Sequence, residues 1–486
     1  MSESYNLLEE GWIPVLHRDG ARPDVGLRTA LLQAGSIAAL ATPSPIDTIA
    51  IHRLLVAIVY RAFAPRTLAE WQALYAQGRF PPEPIEAYLD KHRAAFDLFD
   101  AKRPFFQHPA PREAPLAVGE IDMTRTVATA IRHFSHDVDG RTALSMEECA
   151  RGLVALPAFC QAGGAGKAPS INRGHTSYFF ILGGSLFETL MLNLPIAELL
   201  PGCASLHVPG DAPAWEGPVE QGDKVGLLEG LTWQPRVVKL PPEAPIRHIV
   251  FAKAPGVSKE RVWADPYLCL AKPARPSGAG LRYGGFWREQ WLALLDALDQ
   301  TEAPASLVSQ LPHLAPLLNA ADKALNLLAV ALPSDKATCF EVSERCLPIP
   351  ANLASNAGLR AAARHLLTVT TELNQVTGKV HSRPHEHGAR RDLRLAMEAA
   401  GQQAFTDFIM EAAAGSLQDA AERYIQRLLA SAAEGAAAWS NCAGPSLGRD
   451  NKSYFGGLLK KWHTKALNEL REIMKQKEEE NHVTTG

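Results

Sequence analysis

The feature that most constrains this chain is a change of pattern at Asn356. Before it, short apolar runs alternate with Pro and Gly. After it the sequence is rich in Ala and Leu, with apolar residues returning every three or four positions. That is the period of a helix with one buried stripe. Four such stretches follow one another. About 356–377 sets Leu359, Ala363, Leu366, Val369 and Leu373 on one face, and about 387–413 uses Leu393, Met397, Ala400, Ala404 and Phe408. The third starts at Ser416, with Asp419 three residues on, and carries Tyr424, Leu428 and Trp439. The fourth, about 452–478, uses Phe455, Leu459, Trp462, Ala466, Leu470 and Ile473. Breaks at Gly378–Pro384, Gly415 and Cys442–Gly448 keep the connections short. The economical way to cover four stripes is an antiparallel four-helix bundle over 356–486. The polar tail from Glu478 is expected to fray.

Residues 1–355 carry mixed signals. Trp12–Leu16 reads as a short strand turned by Asp19-Gly20. Helices are expected at Val25–Leu32, at Ile46–Phe63 with Leu54, Leu55, Ile58 and Val59 on its apolar face, and at Ile85–Phe99 after a proline break. Ser145 and Glu148 have the spacing of a capping box. Leu231–Leu240 and Arg247–Ala252 look like strands with Pro-rich turns. The chain is therefore predicted to be α+β: a large mixed α/β N-terminal domain, 1–355, followed by the C-terminal four-helix bundle.

Composition excludes several classes. Of 486 residues, 47% are hydrophobic and 21% charged, and the net charge is −3. Without a global basic field, any nucleic-acid contact must come from local patches or partner subunits. Seven cysteines are scattered with no CxxC pair, which predicts reduced thiols with neither a zinc site nor a disulfide framework. The start, MSESYNLLEEGW, lacks a signal-peptide core. The most lipid-like span, Tyr178–Leu200, is interrupted by Glu188, Asn193 and Pro195. A soluble, cytoplasmic protein is expected.

The most informative stretch for chemistry is Cys160–Pro195. Gly163, Gly164 and Gly166 fall within four positions, followed by Lys167 and Arg173, with no acid before Glu188. Glycines this dense let backbone approach a ligand closely, and the cations suit an anion. A phosphate loop of the G-x-x-x-x-G-K-[ST] kind does not fit, because Ala168 follows Lys167 and the first glycine spacing is wrong. A plain surface connector and a backbone probe of a nucleic-acid groove both remain open. Residues 272–290 offer a second candidate, a Gly-rich hairpin with Lys272, Arg275, Arg282 and Arg288 interleaved with Tyr283, Phe286 and Trp287. Such a hairpin suits a polyanion or a solvated turn beside an aromatic cluster. Arg390, Arg391 and Arg394, with Lys460, Lys461 and Lys465 on the last helix, are possible contacts for an anionic strand or an ordinary solvated face. Two histidine groups, His133/His136 with Asp137 and Asp139, and His381/His385/His387, raise a metal-dependent nuclease or phosphohydrolase as the rival reading. Neither follows a recognised ligand spacing.

The order of motifs resembles one family, the CasA-type large subunit of the type I-E CRISPR surveillance complex, Cascade. NLLEEGWIPV with DVGLRTAL, RPFFQ at 103–107, the segment around His133–Asp139, the Gly163–Gly166 segment, LTWQP at 231–235, WADPY at 263–267 and DKATCFEVSERCLPIP at 335–350 carry the likeness. The resemblance implies a subunit with no catalytic residue and no cofactor. It would read the protospacer-adjacent motif (PAM) of target double-stranded DNA, help open the duplex and recruit a helicase–nuclease. Its other partners would be the remaining Cascade subunits and the CRISPR RNA. Carried over, Gly163, Gly164, Gly166 and Lys167 would approach the PAM minor groove, and Lys272 or Arg275 would enter the same groove. Asp335-Lys336 would hold the wedge, and the segment with His133, Phe134 and His136 would touch the guide end and neighbouring subunits. Minor-groove reading is degenerate and suits a short, tolerant motif, a wedge must offset unstacking, and the guide supplies the remaining specificity by pairing. Two departures stand out. The wedge is often glutamine in that family, where this chain has Asp335-Lys336. Some relatives carry a cysteine-rich zinc knuckle after the WQP strand, whereas here no cysteine lies between Cys203 and Cys269, so no metal is expected.

Overall fold

The Pro45–Phe63 helix is buried on every side from Ile49 to Val59, about three turns, with His52 and Arg53 among otherwise apolar residues, so it must be enclosed by other elements. Ser44 caps it by accepting from the Ile46 amide at 3.2 Å. Around it pack the Met146–Phe159 and Leu227–Thr232 helices. The computed structural model describes residues 4–123, 142–161, 168–172, 177–218, 222–254, 260–269, 287–299, 306–318, 325–332, 334–335, 338–339, 342–378, 387–442, 456–473 and 475. Two units are formed: 1–285 with 296–317 and 326–346, and 286–295 with 318–325 and 347–486.

In the first unit, small antiparallel sheets surround the buried helices. Ile13–His17 lies between Asp24–Val25 and Ile37–Leu40. Ser177–Leu182 pairs with Leu325–Ala331, from Ser177 opposite Ala331 to Leu182 opposite Asn326. Ser343–Ile349 lies on the other side of that strand. A third sheet runs Pro115–Ala117, His248–Lys253, Arg236–Lys239. The capping box forms as expected: the Glu148 amide donates to Ser145 Oγ at 3.3 Å and the Ser145 amide to Glu148 Oε2 at 2.8 Å.

Several segments differ from the sequence reading: the helix expected over Ile85–Phe99 runs from Pro82 to Lys91 and gives way to a 3₁₀ turn at Arg93–Phe96, and Val25 belongs to a strand, with the helix beginning at Leu27. The first half of Leu231–Leu240 is not a strand. Leu227–Thr232 is a buried helix whose start is capped from a distance, because the Leu228 and Glu229 amides donate to Asp211 at 2.7 and 3.0 Å. Trp233–Pro235 is the break, and the strand begins only at Arg236. The lipid-like span, by contrast, is buried in the core as its interrupting polar residues suggested, as the strand Ser177–Leu182 followed by the helix Leu186–Leu192. Asn193, fully buried, accepts from the Ile181 amide at 2.9 Å and donates to the Ile181 and Thr189 carbonyls at 2.7 Å each. Its amide thus matches the backbone groups that would otherwise be stranded there. No described helix is long and apolar enough to cross a membrane.

The second unit is the four-helix bundle: Ala357–Gly378, His387–Ala414, Leu417–Cys442 and 456–473. Cross-contacts run in opposite chain directions. Asn374 meets Glu398 and Thr370 lies beside Gly401; Glu411 pairs with Arg423 and Asp407 with Arg427; Val369 accepts from Trp462 and His365 meets Ala466. Each neighbouring pair is therefore antiparallel. Trp287 and Trp291, on the helix that begins at Trp287, join the bundle core at ring-centroid distances of 5.8 and 5.2 Å from Phe405. Arg288, counted in the sequence as a cation of a Gly-rich hairpin, is helical and forked onto Glu398 at 2.7 and 2.8 Å. It is committed to bundle packing and is not free for a polyanion.

Candidate nucleic-acid interface

The described structure brings together the two stems of the glycine-rich segment, residues 159–161 and 168–172. The Met146–Phe159 helix ends at Cys160, whose carbonyl accepts from the Ser170 amide at 2.7 Å. Behind this contact lies Arg236, the residue that follows the WQP break. Its Nη2 donates to the Gln161 carbonyl at 2.7 Å, and its Nη1 donates to the Ala168 carbonyl. The RPFFQ motif supports the same sheet. Gln107 accepts from the Leu240 amide at 2.7 Å and donates to the Leu98 carbonyl at 2.8 Å. Phe106, at φ +51°, is held in the left-handed region by stacking on Phe105 at 4.2 Å. Backbone strain of this kind persists only where the surroundings over-determine it. A cleft of about 540 Å³ opens beside it, lined by Phe105, Phe106, Trp215, Trp233 and Arg236.

The second stem ends in a buried polar network built on the WADPY motif. Asn172 donates to Asp265 Oδ2 at 2.8 Å and to the Tyr178 hydroxyl at 3.0 Å, and accepts from Trp263 Nε1 at 2.5 Å. Asp265 in turn accepts from Arg53 Nη1 at 3.1 Å and from the Tyr267 amide at 3.0 Å, while Arg53 Nη2 stands 2.9 Å from Oδ2. The Arg53 guanidinium lies 4.7 Å from the Tyr178 ring and 5.6 Å from that of Tyr267. Burial alone would lower the Arg53 pKa, but Asp265 outweighs it and holds the guanidinium charged. Burial raises the Tyr267 hydroxyl well above its ordinary range, so it stays a donor, to the Asn193 carbonyl at 2.9 Å.

Most of the residues singled out in the sequence lie outside the described residues: Gly163, Gly164, Gly166, Lys167, His133, Phe134, His136, Lys272, Arg275 and Lys336. Asp335 is placed by its backbone, paired with Thr338 in a two-residue antiparallel ladder. Arg390, Arg391 and Arg394 fall in the first turns of the His387–Ala414 helix, with side chains outside the described set. Lys460 and Lys461 are exposed on the last helix. Lys465, read as a possible partner of theirs toward an anionic strand, is instead bound to Glu372 at 2.8 and 2.9 Å. Among the described residues no group of His, Cys, Asp or Glu is arranged to hold a metal. Sequence reasoning missed Arg53, Asn172, Asp265 and Arg236. Asp265 lies within the WADPY motif, but for Arg53 and Asn172 no local signal existed, since Arg53 and Asp265 are 212 positions apart. For Arg236 the signal was its place directly after WQP.

The described residues thus form small antiparallel sheets around enclosed helices, then a four-helix bundle, with several of the sequence motifs gathered at the stems of the glycine-rich segment. The chain belongs to the Cse1 family: the family model for CRISPR-associated protein Cse1 matches residues 6–442. The CRISPR-associated protein CasA/Cse1 of Thermus thermophilus is 32% identical over 314 residues, which span 59% of this chain and 59% of that relative. The solved structure of Thermus thermophilus CasA (Cse1) shares the fold with a TM-score of 0.76 at 23% identity, over 95% of this chain and 100% of that one. A chain of a CRISPR RNA-guided surveillance complex shares it with a TM-score of 0.68 at 19% identity, over 94% and 99% of the two chains.

Proposed function

We propose that this chain is a non-catalytic subunit of an RNA-guided CRISPR surveillance complex, in which it reads the PAM of target double-stranded DNA through the minor groove. In the same role it helps open the duplex and provides the landing site for a helicase–nuclease effector. Its partners are the other Cascade subunits, the CRISPR RNA and the target. The observation that carries the reading is convergence. WQP-Arg236, WADPY and the Cys160–Ser170 stem contact are far apart in sequence, yet all support the ends of one short segment rich in glycine and carrying Lys167. A rigid base under a segment of small residues suits close backbone approach to a groove, and a degenerate groove suits a short, tolerant motif.

The test is target binding by the guide-loaded complex, with and without this chain, across a PAM library. Binding that depends on the PAM only when the chain is present is expected. Equal selection without it would refute the reading, as would hydrolysis of DNA by the purified chain with Mg²⁺ or Mn²⁺.

A further inference from the structure

One side chain joins the two ends of the glycine-rich segment. Arg236 is 4% exposed. Its Nη2 holds the carbonyl of Gln161, the residue before 162–167, and its Nη1 holds that of Ala168, the residue after. Nη1 also donates to the Pro235 carbonyl at 2.9 Å, and the guanidinium carbon lies 5.5 Å from the Phe251 ring. All these partners are neutral, and Nε has none. The other buried arginines described in the unit are treated differently: Arg53 stands 2.9 Å from Asp265, Arg261 2.6 Å from Glu229 and Arg151 3.5 Å from Asp47. A buried guanidinium is ordinarily paired with a carboxylate, because its desolvation is costly. Here neutral carbonyls take three of its five N–H protons, and no carboxylate among the described residues pairs with it beneath the stems.

We propose that Arg236 is a positioning residue for target recognition. Its planar fork fixes the spacing of the Gln161 and Ala168 carbonyls, and its charge draws phosphate toward the segment they bracket. Lysine, a point charge without a fork, would keep the second property and lose the first. The inference rests on the reading that residues 162–167 contact target DNA.

The experiment uses the guide-loaded complex carrying the full chain as wild type, Arg236→Lys, Arg236→Met or Gly164→Leu. Target Kd is measured on PAM and scrambled-PAM duplexes at two salt concentrations, and amide exchange is followed at 159–161 and 168–172. Both Arg236 variants should speed exchange at the stems and cut the PAM-to-scrambled ratio about tenfold. Only Arg236→Met should also flatten the salt dependence, since it alone removes the charge. If Arg236→Met fails to assemble, the lysine variant carries the test through exchange and discrimination. Unchanged exchange at the stems overturns the proposal. So does unchanged discrimination in the Arg236 variants while Gly164→Leu abolishes it, an outcome that leaves the DNA reading intact. If Gly164→Leu is also without effect, the DNA reading itself fails.

Discussion

Replacing Asp265 by Asn should be among the most damaging single changes in the first unit, although the two side chains are nearly the same size. The Asp265 side chain is 0% and that of Arg53 2% exposed, so the charge left behind cannot be rehydrated without opening the core. Both carboxylate oxygens are used: Oδ1 accepts from Arg53 and the Tyr267 amide, and Oδ2 accepts from Asn172 with Arg53 Nη2 beside it. An Asn side chain keeps one acceptor and turns an NH₂ group toward donors. Breaking a buried pair from one side costs about 3–5 kcal/mol, and the network's other bonds put this case in that range. The melting temperature should fall by on the order of 10 °C. The assay is denaturant and thermal unfolding of wild type, Asp265→Asn, Arg53→Met and the Arg53→Met/Asp265→Asn pair, read as a double-mutant cycle. The double variant should recover a large share of the loss, because removing both charges removes the stranded cation. A cost below about 1 kcal/mol for Asp265→Asn, or a double variant as unstable as the sum of the singles, would refute the argument.

Gly230→Ala should cost about 1–3 kcal/mol by chemical denaturation, because a Cβ there would sit 2.1 Å from the Trp263 ring. Loss of the Trp263–Asn172 bond should show as a change in tryptophan fluorescence. His52, buried and stacked on Phe180 at 5.4 Å, has its pKa lowered by burial to about 4. Between pH 6.5 and 4 the unfolded chain therefore takes up a proton that the native state refuses, and stability falls with pH by up to about 3 kcal/mol. Asp47, raised by burial to about 6 against the pull of Arg151, works in the opposite direction over an overlapping range. The His52 effect is isolated as the difference between wild type and His52→Leu, and a pH-independent difference would exclude it. In the assembled complex, Lys336→Ala should slow duplex opening on PAM-bearing DNA more than it weakens assembly, read by base-analogue fluorescence. Opening at the wild-type rate would remove the wedge assignment.

What periodicity governs was legible in advance. The bundle followed from Leu359, Leu366, Met397, Phe408, Tyr424, Leu428, Trp462 and Leu470 recurring at helical spacing, and all eight are buried. The Ser145–Glu148 cap and the Ile46–Phe63 helix were equally local, set by interactions within a few residues. The WQP segment was misread as strand throughout, because Leu227–Thr232 owes its start to Asp211, outside any window around it. Free cations were overcounted for the same reason: Arg288 and Lys465 look solvated until Glu398 and Glu372 are brought beside them.

The family likeness, and with it the role to be tested, was already carried by the order of short motifs along the chain. Only the tertiary structure decided which of them meet. Helical stripes and caps are encoded by neighbours in sequence. The Arg53–Asp265 pair and the Arg236 fork are not, because a buried charge finds its partner only once the chain has folded and excluded the water that would otherwise serve.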